Sequence, residues 1–116
     1  MLKRGEIWLA DLHPSHGMEP GKTRPVLIVQ SQALLDAEHP STLIIPLTTN
    51  LVDDAEPLRI RLPASGRLSR DSDLLIDQHR AVDNQRSVKG PLTRLNPTLM
   101  DRVAEAIHEV LDLLEE

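Results

Sequence analysis

The chain contains no cysteine, phenylalanine or tyrosine in 116 residues, and Trp8 is its single tryptophan. Without thiols, disulfide scaffolds, thiolate nucleophiles and sulfur-based zinc sites are excluded. The shortage of aromatic rings disfavours cold-shock and RNA-recognition-motif readings, because such binders stack bases on aromatic platforms. Long apolar runs are also missing. No stretch approaches the roughly 18 residues of a membrane span, and Met1 to Glu6 lacks the apolar core of a secretory signal. The expectation is a single cytoplasmic domain over residues 1–116, with no membrane partner. Walker-type phosphate loops, dinucleotide fingerprints and Gly-x-Ser-x-Gly elbows are absent as well, which removes the common motif-borne enzymes.

Net charge is −5, which at first argues against a polyanionic ligand. Its distribution weakens that objection. Residues 1–100 carry 12 Lys plus Arg against 12 Asp plus Glu, whereas residues 101–116 carry one Arg against 6 acids. The first hundred residues can therefore hold a basic face around Lys3, Arg4, Lys22, Arg24, Arg67, Arg70, Arg80 and Arg86.

What is present reads as short strands followed by one helix. Ile7 to Ala10 forms an apolar run leading into a loop, His13 to Thr23, whose two Pro and two Gly forbid regular structure. Pro25 to Val29 is continuously apolar and β-branched, as in a strand buried on both faces, and Arg24 stands at its mouth. Ser31 to Ala37 suits a short helix with Ser31 as N-cap. Leu43 to Leu47 is a further strand closed by Thr48-Thr49-Asn50, with Pro46 restricting its pairing. Leu58 to Leu62 alternates like a half-exposed strand, and Ser65-Gly66 supplies a turn. Asp73 to Asp77 and His79 to Val82 read as short strand pieces. Asn96 as N-cap and Pro97 at the first helical position open an amphipathic helix with Met100, Val103, Ile107, Val110, Leu111 and Leu114 on its apolar side. The sum is a mainly β (α+β) fold: a small, partly open antiparallel barrel with a C-terminal amphipathic helix and one or two short helices.

Histidine is the first suspect for acid–base chemistry near neutral pH. His39 precedes Pro40 in a loop with nothing nearby to orient it, and His108 lies mid-helix on the more polar side and reads as structural. His13 and His16 share the long loop, and His79 sits in Asp77-Gln78-His79-Arg80. A two-histidine ribonuclease fits these residues without being demanded by their spacing. A metal site would need the same histidines with Glu19 in tetrahedral convergence, which the sequence does not announce. Neither metal nor cofactor is expected.

Arg4-Gly5-Glu6-Ile7-Trp8-Leu9, then His13-Pro14 with Gly17-Met18-Glu19, then Thr23-Arg24-Pro25-Val26-Leu27-Ile28-Val29 closely resemble the N-terminal signature of the MazF/PemK toxins. The resemblance continues through Pro46-Leu47-Thr48-Thr49 and Asp77-Gln78-His79-Arg80-Ala81-Val82-Asp83 into the final helix. It implies an SH3-like barrel, a homodimer, and the toxin of a type II toxin–antitoxin pair that cleaves single-stranded RNA, chiefly mRNA, at short sequences. The implied reaction is metal-independent: the ribose 2′-hydroxyl attacks the neighbouring phosphate, leaving 2′,3′-cyclic phosphate and 5′-hydroxyl ends. An antitoxin with an acidic tail is the implied partner.

Carried over residue by residue, the resemblance makes Arg24 and Thr48 the catalytic pair. Glu19 is a candidate general base or orienting acid. Glu6, His16, Lys22, Thr49, Asp77, Gln78 and His79 are expected to bind RNA or line the site, with Glu6 also a candidate for orienting Arg24. One branch of the family uses a first-loop histidine and an arginine two residues before the acid that matches Asp77. Met18 and Leu75 occupy those positions here, so those roles do not transfer. The alternative from another class is a non-catalytic toxin of the same fold that binds a protein such as DNA gyrase, and a third reading is an SH3-like binding module without chemistry.

Overall fold

The computed structural model describes residues 1–12 and 23–112. Among these residues seven strands run in the order β1 (Glu6–Asp11), β2 (Thr23–Ile28), β3 (Ser41–Thr48), β4 (Arg59–Leu62), β5 (Ser72–Leu75), β6 (Arg80–Asp83) and β7 (Ser87–Arg94). Helix α1 (Gln32–Asp36) follows β2, and α2 (Pro97–Leu111) follows β7. All pairings are antiparallel, in the spatial order β4-β5-β3-β2-β1-β7 with β6 also on β3. The sheet curls into a half-barrel with α2 packed inside the curl.

Strand parity sorts the core. Ile7, Leu27, Ile45, Leu47, Ile60 and Leu74 point to the inner face, where they meet Val103 and Ala106 of α2. Ala10, Val26, Ile28 and Ile44 point to the outer face, where Leu35 of α1 and the half-buried Trp8 cover them. Val26, Leu27 and Ile28 are all fully buried, so the unbroken apolar run of β2 reflects a strand covered on both sides.

The capping expectations hold at both helices. Ser31 accepts from Leu34 N–H, and Asn96 accepts from Leu99 N–H at 2.9 Å with Pro97 opening α2. Leu111 departs from the expected apolar face, being 46% exposed. Pro46 falls between the two partners of the other β3 edge: β6 pairs with Ser41 to Ile44, and β5 with Leu47 and Thr48. Its missing N–H interrupts neither ladder.

Two segments depart from the sequence expectation. Residues 76–78 form a 3-10 turn between β5 and β6 instead of extending the strand to Asp77. The other is β7, which the sequence did not announce because Gly90-Pro91 lies inside it. Its pairing with β1 shifts register between Ile7 and Leu9 and again between Leu9 and Ala10, and these irregularities accommodate the dipeptide.

Candidate active site

Strands β2 and β3 pair Val26 with Pro46, Leu27 with Ile45 and Ile28 with Ile44. Continued by two residues, that register sets Arg24 opposite Thr48, and Arg24 itself pairs with Ala10 of β1. Residues of matching parity on neighbouring strands share one face of a sheet. Arg24 and Thr48 line one open recess of about 160 Å³ together with Pro25, Leu47, Thr49 and Ser72. Both side chains are half-buried. Thr48 Oγ1 accepts a hydrogen bond from Asn50 N–H at 3.1 Å, which leaves its own O–H proton available to donate.

The row continues beyond Thr48. Asp73 of β5 pairs with Thr48, and Arg61 of β4 pairs with Asp73, so Arg24, Thr48, Asp73 and Arg61 follow one another across four strands. Asp73 is 1% exposed. Burial pushes its carboxyl pKa up, but hydrogen bonds from Arg61 Nε, from Val52 N–H at 2.9 Å and from Arg59 Nη1 at 3.2 Å outweigh that and hold it below the usual carboxylate value. Arg61 is raised in turn, chiefly by its hydrogen bonds to Asp73 and to Asp53. Arg59 Nη1 also donates to Asn50 O at 2.8 Å. The Asp73 cluster thus fastens the chain leaving Thr48 at two places, Asn50 and Val52.

The sequence named neither Asp73 nor its arginines. The alternation of β4 put Arg59 and Arg61 on one face, but their common acid lies 12 and 14 residues away and becomes their neighbour only through the β4–β5 pairing.

The remaining expected residues are dispersed. Thr49 and Ser72 border the recess, and Ser72 is a lining residue the sequence reading missed. Glu6 does not orient Arg24. It sits at the far end of β1, next to the residue that pairs with Leu27, and its Oε1 accepts from Lys3 N–H at 2.9 Å and from the Trp8 indole at 3.1 Å. Its burial and those two donors make it a structural anchor for the start of β1. Asp77 and Gln78 are exposed on the 3-10 turn, and His79 Nδ1 lies 3.0 Å from Ile76 O. None of the three lines the Arg24 recess. His16, Glu19 and Lys22 lie outside the described residues. Among the described residues no group of three His, Asp or Glu side chains is arranged to hold a metal ion, and no helix is long and apolar enough to cross a membrane.

Comparison with known proteins gives the chain its family. Residues 3–111 match the family described as PemK-like, MazF-like toxin of type II toxin–antitoxin system. Endoribonuclease EndoA of Bacillus subtilis is 32% identical over 116 residues, covering 99% of this chain and 98% of that protein. Endoribonuclease MazF of Staphylococcus saprophyticus is 35% identical over 115 residues, covering 97% and 93%. The fold matches that of a mycobacterial endoribonuclease solved in complex with its cognate antitoxin, with a TM-score of 0.76 at 20% identity over the full length of both chains. The chain therefore belongs to the PemK-like, MazF-like toxins of type II toxin–antitoxin systems.

Proposed function

We propose that this MazF-like toxin is a cytoplasmic endoribonuclease that cuts single-stranded RNA at a centre formed by Arg24 and Thr48. The observation that carries the reading is their placement: a guanidinium and a hydroxyl on facing positions of β2 and β3, opening into one recess. Two relatives that cover nearly the whole chain carry the name endoribonuclease.

The chemistry suits these groups. The ribose 2′-oxygen forms a bond to the adjacent phosphorus, its proton leaves to a base, and the bond from phosphorus to the 5′-oxygen breaks as that oxygen takes up a proton. Negative charge accumulates on the non-bridging oxygens in the transition state. The Arg24 guanidinium offers a planar fork of donors to those oxygens, and its high pKa suits electrostatic stabilisation better than proton donation. Thr48, with its oxygen held by Asn50 N–H, directs its O–H at the phosphate. Glu19 is assigned the base role on the family resemblance. The products are a 2′,3′-cyclic phosphate and a 5′-hydroxyl, and no metal ion is required.

The toxin works as a homodimer and is restrained by an antitoxin whose acidic tail covers the recess. The mycobacterial structure supports the partner class, since it was solved with its cognate antitoxin. Purified protein incubated with a long single-stranded RNA in excess chelator is the test. Discrete fragments ending in cyclic phosphate are expected; intact RNA overturns the reading.

A further inference from the structure

A second, larger cavity of about 540 Å³ adjoins the Arg24 recess, and the two share Pro25, Thr49 and Ser72 as a common wall. Strand parity explains where it lies. Pro25 is opposite Leu9 of β1, and Leu9 and Leu92 belong to or pack against the inner core, so the cavity opens at the mouth of the half-barrel. Its floor is apolar, formed by Leu9, Leu68 and Leu92, and its rim carries Arg67, Arg70 and Lys89. Among the described residues no carboxylate lines it.

The rim is built. Arg67 N–H donates to Leu92 O at 2.8 Å, and the Thr93 hydroxyl donates to Ser65 Oγ at 3.1 Å, so the β4–β5 loop is stitched onto β7. Gly66 has φ +55° there, and a Cβ on it would lie 2.8 Å from Leu92 O. The acid of that loop, Asp71, accepts from Ala64 N–H at 2.8 Å within the loop. Arg67, Arg70 and Lys89 are exposed, and none of them forms an ion pair among the described residues.

The cavity on the other side of the Asp73 cluster is the contrast. It holds about 560 Å³ and is lined by Arg59, Arg61 and Arg102, but also by Asp53, Asp54, Glu56 and Asp73. Its cations are engaged: Arg59 and Arg61 with Asp73, and Arg102 with Glu56 at 2.6 Å. A polyanion leaving the Arg24 recess is repelled on that side and attracted on the Arg67 side.

We infer that the Arg67–Arg70–Lys89 cavity is a subsite for the RNA strand next to the scissile phosphate. The inference rests on the RNA-cutting reading and adds the direction in which the strand runs. An apolar floor bordered by hydroxyls and cations is complementary to a nucleotide, which presents a flat apolar base face and an anionic backbone. The volume falls within the roughly 300–1,000 Å³ of small-ligand sites. In a chain without Phe or Tyr, leucine side chains take the place of an aromatic platform under the base.

The test replaces Arg67, Arg70 and Lys89 together by Ala, all three being exposed, and compares cleavage of one long single-stranded RNA with the unaltered protein. KM is expected to rise about tenfold at 0.15 M salt with kcat within twofold, since these cations hold the strand without touching the reacting atoms. The slope of log KM against log salt is expected to fall by about 2, at roughly 0.7 per lost phosphate contact on a single strand. Lys3, Arg4 and Arg94 replaced by Ala remove the same charge at the far end of β1 and are expected to leave KM within twofold. Equal effects in the two triple variants, or an unchanged KM in the first, overturn the subsite. Unchanged KM with weakened capture of a poly-glutamate peptide also overturns it, and assigns the rim to an acidic protein segment. If the unaltered protein cuts no RNA at all, the parent reading fails and the subsite with it, whereas normal cutting with an indifferent rim removes the subsite alone.

Discussion

Thr48 and Asp73 face one another across the β3–β5 ladder, so the hydroxyl at the centre of the recess is backed by a buried carboxylate. That carboxylate does not touch the recess. It collects Arg59, Arg61 and the Val52 N–H, while Arg59 reaches on to Asn50 O, two residues after Thr48. The Thr48 to Val52 segment is thereby held by charged hydrogen bonds within the protein. An exposed loop would otherwise sample several conformations and carry Thr49 and Asn50 with it.

Replacing Asp73 by Asn is expected to destabilise the fold by roughly 1–3 kcal/mol, because it leaves the half-buried Arg59 guanidinium without its acid and Arg61 with Asp53 alone. Chemical denaturation at pH 7 measures this. The pH dependence has a fixed sign. The folded carboxyl titrates below its unfolded value of about 3.9, so its contribution is complete above that pH and is lost as pH falls through the lower folded value. The unaltered protein is therefore expected to lose stability on acidification below about pH 4 more steeply than the Asn variant. Parallel curves for the two proteins would show that Asp73 is not the group responsible.

Arg24→Ala is expected to lower kcat by about 10² to 10³ on RNA with a small change in KM, the signature of a donor used mainly in the transition state. Folding stability is expected to change by less than about 1 kcal/mol, since no ion pair links Arg24 to any described residue. Arg24→Lys keeps the charge and loses the planar fork, and is expected to recover only part of the rate. Single-turnover cleavage beside thermal melts checks both variants. Wild-type rates in Arg24→Ala would move the centre elsewhere on the chain.

For Thr48 the discriminating pair is Ser and Val. Serine keeps the hydroxyl that accepts from Asn50 N–H, whereas valine keeps the shape and removes it. Thr48→Ser is expected to retain activity within about fivefold and Thr48→Val to lose about 10- to 100-fold, the scale of one hydrogen bond to a charged group. Equal activity of the two would reduce Thr48 to a strand-end residue.

The fold was legible in the sequence wherever one residue type has one mechanical consequence. Ser31 and Asn96 cap helices, the unbroken run of β2 is covered on both faces, and the alternation in β4 separates Arg59 and Arg61 from Ile60 and Leu62. Arg24 and Thr48 were legible as a pair through the family resemblance, and the β2–β3 register supplies the physical reason they share a face. What stayed hidden depends on contacts between distant strands. Asp73 reads as one of two neighbouring acids at the polar edge of a short strand until β4 is laid beside β5. Lys89 joins Arg67 and Arg70 only through the packing of the β4–β5 loop on β7, a strand that Gly90-Pro91 disguises. Of the eight cations in the expected basic face, Lys3 and Arg4 lie at the far end of β1 from Arg24, while Arg67 and Arg70 lie beside the recess, where Lys89, which the expectation did not include, joins them.

Gly90 offers a prediction that isolates packing from chemistry. A Cβ built there falls 2.6 Å from Trp8 Cδ2 and 2.8 Å from Cγ, so the indole lies flat against the glycine. The ring cannot simply turn away, since its N–H donates to the buried Glu6 carboxylate. Gly90→Ala is therefore expected to destabilise the protein by roughly 1–3 kcal/mol through overpacking. Trp8→Leu removes the opposing ring and is also expected to destabilise, by leaving Glu6 short of a donor and the outer core short of volume. If the clash is the cause, the two costs do not add: Gly90→Ala in the Trp8→Leu background is expected to cost less than about 0.5 kcal/mol. Full additivity in a double-mutant cycle would place the cost of Gly90→Ala in the β7 backbone instead. Because neither residue lines the Arg24 recess, the kcat of each folded variant is expected to stay near that of the unaltered protein.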